Sequence, residues 1–77
     1  MAHEFIADSR TSTLITVQHA AHGHRYAFRV MIKRGRRRAL SDFLVYPNRQ
    51  AAPPAELLHR KALTYARLEA RKSGLID

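Results

Sequence analysis

No cysteine occurs anywhere in the 77 residues. Neither a disulfide framework nor a thiolate metal site is therefore available, and a reducing compartment fits the chain. Acids are scarce as well, with six Asp and Glu dispersed among 14 Lys and Arg. There is no Gly-rich phosphate loop, and no spacing of Ser, His and acid suggests an activated nucleophile. Catalysis needs positioned groups of that kind, so no enzyme, cofactor or small-molecule substrate is expected. No apolar run approaches membrane-spanning length, and the opening MAHEFIADSR carries acids where a signal peptide needs a basic and then an apolar region. The expectation is a soluble, cytoplasmic protein with no membrane partner. A chain this short has room for one domain with a small core.

What the chain does have is positive charge, net +8. Residues 1–24 carry net −1, residues 25–49 net +7 and residues 50–77 net +2, so the middle of the chain dominates the field. Eleven of the cations are Arg, whose planar fork grips phosphate or carboxylate bidentately. The sharpest concentration is IKRGRRRAL, which has five cations in the six residues Lys33 to Arg38, interrupted only by Gly35.

Alternation and turn chemistry outline the architecture. Thr11 to His19 is β-branched and alternating, which predicts a strand with one buried face. His24 to Arg34 alternates more clearly, with Tyr26, Phe28, Val30 and Ile32 on one side and Arg25, Ala27, Arg29, Met31 and Lys33 on the other. Arg38 to Pro47 reads as a third strand, ended by its proline. Short connections at AAHGH and Gly35 predict an antiparallel meander. A two-residue turn at Gly35-Arg36 would set Arg34 against Arg37, Lys33 against Arg38, Ile32 against Ala39, Val30 against Ser41, Phe28 against Phe43 and Tyr26 against Val45. It would also place Arg29 opposite Asp42.

After the Pro-rich loop 47–53, residues 54–73 read as a helix. Pro54 and Glu56 suit its first turn, Arg71 and Lys72 its last, and Gly74 its end. Helical spacing gathers Leu57, Leu58, Ala62, Tyr65, Ala66 and Leu68 on one side and Glu56, Arg60, Thr64, Arg67 and Arg71 on the other. The predicted fold is α+β and two-layered: a three-stranded antiparallel meander on one C-terminal helix, a single domain over residues 11–77. Residues 1–10 are an arm or a short fourth strand through Phe5 and Ile6. Phe28 is expected between Phe43 and Tyr65.

The order of three strands and a helix is similar to that of plant-type AP2 domains and of the amino-terminal domains of some phage integrases. The similarity is one of topology, with no shared motif, and implies a sheet that meets the DNA major groove.

Three functional patterns stand out. Facing cations destabilise the hairpin that carries them, which points to a counter-charged partner. Nucleic-acid phosphate, or an acidic surface on another protein, satisfies that need, while a solvated tip that guards the sheet edge is the plainer alternative. The expected phosphate contacts are Lys33, Arg34, Arg36, Arg37 and Arg38, with Arg25, Arg29 and Arg49 in support. The helix stripe Arg60, Arg67 and Arg71 reads as a solvated face unless the fold brings it to the tip. The sheet side away from the helix should expose Leu14, Met31, Leu40, Leu44 and Tyr46, a patch suited to a homodimer, a protein partner or the folded-back arm. His19, His22 and His24 form a cluster that suits weak metal binding or a solvated turn, and no metal site is assigned to it. The function expected is thus a non-enzymatic nucleic-acid-binding protein, the alternative being an adaptor or inhibitor that docks on a nucleic-acid-like acidic surface.

Overall fold

The computed structural model describes residues 4–77. Four strands, β1 (Phe5–Arg10), β2 (Leu14–His19), β3 (Arg25–Ile32) and β4 (Arg38–Tyr46), precede one helix, α1 (Ala55–Lys72). Each strand pairs antiparallel with the next, giving the sheet order β1-β2-β3-β4. The α+β fold expected from the sequence is present, and the N-terminal segment supplies a full fourth strand.

One sheet face packs on α1. Phe5, Ile15, Val17, Tyr26, Phe28 and Leu40 project their bulk from the sheet, and Ala55, Ala62, Ala66 and Ala70 meet them from the helix. Small side chains at intervals of about one helical turn let α1 lie close to the sheet, so the sheet fills the core and the helix seals it. Of the expected helix side, Ala62 and Ala66 are buried and Leu58 and Tyr65 pack against the core, while Leu57 and Leu68 are corrected: they are 71% and 52% exposed, lying to either side of the row that meets the sheet.

The β3–β4 register also departs from expectation, and the loop explains it. Arg34 to Arg36 form a single 3₁₀ turn, Gly35 and Arg36 both have positive φ, and the Lys33 N–H donates to the Arg37 carbonyl at 2.6 Å. The connection holds one residue more than a two-residue turn. Ile32 therefore faces Arg38, Met31 faces Ala39, Val30 faces Leu40 and Phe28 faces Asp42. A bulge at Phe43 then restores the expected pairs Ala27–Leu44, Tyr26–Val45 and Arg25–Tyr46. The consequences are concrete. Leu40, expected on the outer face, is buried in the core at 6% exposure. Phe43, expected beneath the helix, is on the outer face, where the Arg29 guanidinium lies 5.7 Å from its ring centre. Arg29 faces Ser41 instead of Asp42. The Tyr65 ring stacks on Phe5 at 5.8 Å, and Phe28 neighbours the His59 ring at the same distance.

Two polar devices hold the ends. At the β2–β3 turn, the buried His24 ring accepts at Nδ1 from the Asn48 N–H and meets the Pro53 carbonyl through Nε2, both at 2.9 Å. A backbone N–H only donates, so Nδ1 is the acceptor and Nε2 carries the proton. His24 thereby ties the connection before α1 to the sheet. At the other end Gly74, at φ +78°, closes α1 with bonds from Gly74 to Arg71 at 3.2 Å and from Leu75 to Ala70 at 2.8 Å. This is the Schellman pattern. It turns the chain back so that Ile76 enters the core and Asp77 reaches β4.

Candidate nucleic-acid interface

The helix C-terminus and the β3–β4 tip lie at the same end of the molecule, and between them is a hollow of about 370 Å³. Lys33, Arg34, Arg37 and Arg38 line it from the hairpin, Arg67 and Arg71 from the helix, and Leu40 and Ile76 also contribute. Asp77 is the single acid among its lining residues.

Asp77 shows how this site holds an oxyanion. The Arg38 main-chain N–H donates to its Oδ2 at 3.0 Å, and the Arg38 guanidinium reaches Oδ1 at 3.1 Å. The same guanidinium donates to the Gly74 carbonyl at 2.9 Å. The Arg38 main-chain and side-chain hydrogen bonds, followed by the positive charges of Arg38 and Arg37, hold the Asp77 carboxyl below its ordinary range. Among the described residues, Lys33, Arg34, Arg37 and Arg67 have no carboxylate within ion-pair distance. Arg71 donates to the Asp77 main-chain oxygen at 3.3 Å. Six cations gathered around a single acidic residue repel one another, and a polyanion would relieve the repulsion.

The other expected contacts are dispersed. Arg36 sits in the turn and does not line the hollow. Arg29 is mid-strand on the outer face. Arg25, at the far end of β3, is about 23 Å from Ile32 at the strand rise of about 3.3 Å per residue, and lies 3.8 Å from Asp8. Arg49 belongs to the connection beside His24. Arg60 lines a separate groove of about 420 Å³ against β1 with Phe5, Tyr65 and Leu68. The fold thus promotes Arg67 and Arg71, whose spacing of four residues near the helix end is the signal that marks them, and leaves Arg60 elsewhere.

Directly opposed residues share a sheet face, so the pairings define the outer surface. Leu14, Ala27, Arg29, Met31, Leu44 and Tyr46 lie there, joined by Ile6, Thr16 and Phe43. Of the patch expected from the sequence, Met31, Leu44 and Tyr46 are exposed, Leu14 is half-buried and Leu40 is absent.

The side chains of His19, His24 and His59 have structural partners. His19 accepts at Nδ1 from the His22 N–H at 3.1 Å, and its Nε2 lies 3.4 Å from Glu4. His59 Nε2 is 2.9 Å from Asp42, a pair that shorter-range sequence reading missed. Among the described residues no three His or acid side chains converge on a metal position. Burial, and secondarily the Glu56 charge, raises the Tyr26 hydroxyl pKa, which keeps Tyr26 neutral as it donates to the Ala55 carbonyl at 2.6 Å.

No protein-family model, curated protein or solved structure matches the chain. No helix among the described residues is long and apolar enough to cross a membrane.

Proposed function

We propose that this is a small, non-enzymatic, cytoplasmic protein that binds nucleic acid by its phosphate backbone, in the hollow between the β3–β4 tip and the end of α1. The observation that carries the reading is the convergence of Lys33, Arg34, Arg37 and Arg38 with Arg67 and Arg71, two elements far apart in sequence, around one cavity. A solvated hairpin tip explains charge on the hairpin, but it does not explain a second set of cations brought to the same hollow. Phosphates held there would displace condensed counterions, so affinity falls steeply with salt. Backbone contact of this kind fixes position and orientation without reading bases.

The test is an anisotropy titration of labelled DNA and RNA over a range of salt concentrations, comparing wild type, Arg67→Gln/Arg71→Gln, Arg34→Gln/Arg37→Gln and Arg60→Gln. Each lost phosphate contact should flatten the slope of log affinity against log salt by about 0.7 on single strands and about 0.9 on duplex. The two double variants should each lose up to two such increments, and Arg60→Gln, which lines the other groove, less. If Arg67→Gln/Arg71→Gln behaves like Arg60→Gln, the hollow is not the site. If the wild type fails to bind any nucleic acid at low salt, the basic end is left to dock on an acidic protein surface.

A further inference from the structure

The outer sheet face is where phosphate binding alone leaves most unexplained. Phe43 is 47% exposed and Tyr46 52%, and Met31, Leu44 and Ile6 are exposed beside them. The register set by the loop puts Phe43 on this face, since regular pairing onward from Phe28–Asp42 would place it opposite Ala27, and the bulge then turns Leu44 onto the same face beside it. The Arg29 guanidinium over that ring shows that its face accepts a flat, cationic partner. The face carries Arg25 and Arg29 against one acid, Asp8, which meets Arg25. The basic hollow lies on the helix side of the sheet, but β4 is an edge strand, so a chain can pass around its edge from the hollow to this face, over the roughly 26 Å from Arg38 at the tip to Tyr46 at the strand rise of about 3.3 Å per residue.

These features choose between occupants. A second copy seated face to face would bring another Arg25 and Arg29 into the same interface, with little acid to balance them. Duplex nucleic acid would present phosphates and base edges while its base faces stayed stacked inside, which leaves exposed Phe, Leu and Met unsatisfied. Unpaired bases offer flat apolar faces on a polyanionic chain, which suits aromatic rings beside arginine.

We propose that the outer face of the sheet is a stacking platform for unpaired bases, and that the ligand is single-stranded nucleic acid, held by its phosphates in the basic hollow and by its bases on Phe43 and Tyr46. The inference rests on the proposed phosphate-binding function and specifies its substrate class. Arg25 and Arg29 then serve the strand as it crosses the sheet, which gives these two dispersed cations a place in the same interface.

The experiment measures binding of a labelled single strand of about 12 nucleotides, within the site size of such proteins, and of the matching duplex. The proteins are wild type, Phe43→Leu/Tyr46→Leu, Tyr46→Leu and Tyr46→Phe, each checked for folding by circular dichroism. Leucine keeps the apolar area and removes the ring. The double variant should lose roughly tenfold or more on the single strand, as expected for lost base–aromatic stacks, with duplex binding within about twofold and the salt slope unchanged. Tyr46→Leu alone should show a smaller loss of the same kind, so the test survives a double variant that folds poorly, and Tyr46→Phe should retain binding. No loss on the single strand, or an equal loss on duplex, overturns the inference while leaving phosphate binding in the hollow intact. Light scattering that finds a wild-type dimer dissolved by Tyr46→Leu also overturns it, because a second copy then covers the face. A wild type that binds neither substrate removes the proposed function together with this inference.

Discussion

Leu40 and Leu44 lie four residues apart in β4, and an unbroken strand would put both on one face. The bulge at Phe43 separates them: Leu40 is 6% exposed in the core and Leu44 is 46% exposed on the outer surface. Leu40→Ala removes a branched side chain facing Val30 from a packed site, with an expected cost of about 2–5 kcal/mol for the lost transfer energy and the remaining cavity. Leu44→Ala leaves no closed cavity. It forfeits roughly half of the 1.5–3 kcal/mol that full burial of such a side chain contributes, so about 1 kcal/mol. A 77-residue domain has about 4–12 kcal/mol in total, so Leu40→Ala should remove a large share of its stability and Leu44→Ala little. Urea unfolding followed by circular dichroism gives both values if the slopes agree. Leu40→Val, expected to cost less, provides a folded reference if Leu40→Ala unfolds. Equal losses at the two positions would refute the bulge, and with it the placement of Leu44 on the outer face.

His24→Ala should destabilise by roughly 2–4 kcal/mol, since it strips partners from the Asn48 N–H and the Pro53 carbonyl and empties a buried site. Native-state hydrogen exchange at Asn48 should rise most. A loss below about 1 kcal/mol would mean the ring does not hold the connection before α1. Asp77 gives a pH signature. Its pKa is lowered in the folded state from an ordinary 3.8, so its contribution is present above that ordinary value and is lost as pH falls through the lower folded one. Asp77→Asn should therefore be less stable than wild type near neutrality and converge with it in strong acid. A constant difference at all pH values would refute the Arg38 contacts.

Much of the framework was legible because it depends on local patterns. Alternation on β3 placed Tyr26, Phe28 and Val30 on the buried face, where they are found packed in or against the core, and positive φ at Gly23, Gly35 and Gly74 coincides with the three turn or stop signals read there. The helix face was harder. Leu57 and Leu68 satisfy helical spacing as well as the alanines do, and hydrophobicity ranks leucine first. The expected side held Ala62 and Ala66 together with these leucines, and which of its members reach the sheet depends on how closely the helix approaches a sheet already filled by Phe5, Tyr26 and Phe28.

The sequence alone determined three of the four strands, the helix, the antiparallel order, and the concentration of cations at the tip, while it left residues 1–10 as an arm or a strand. Each follows from residues that are neighbours along the chain. Tertiary structure decided which cations act together and which face each β4 residue takes. One additional loop residue shifted the register and one bulge reversed the alternation, and neither leaves a mark in a period-two pattern. Arg67 and Arg71 join Lys33 and Arg34 only because the helix returns along the sheet to the same end. Charges combine through space, and the distances that decide their coupling exist only once the chain has folded.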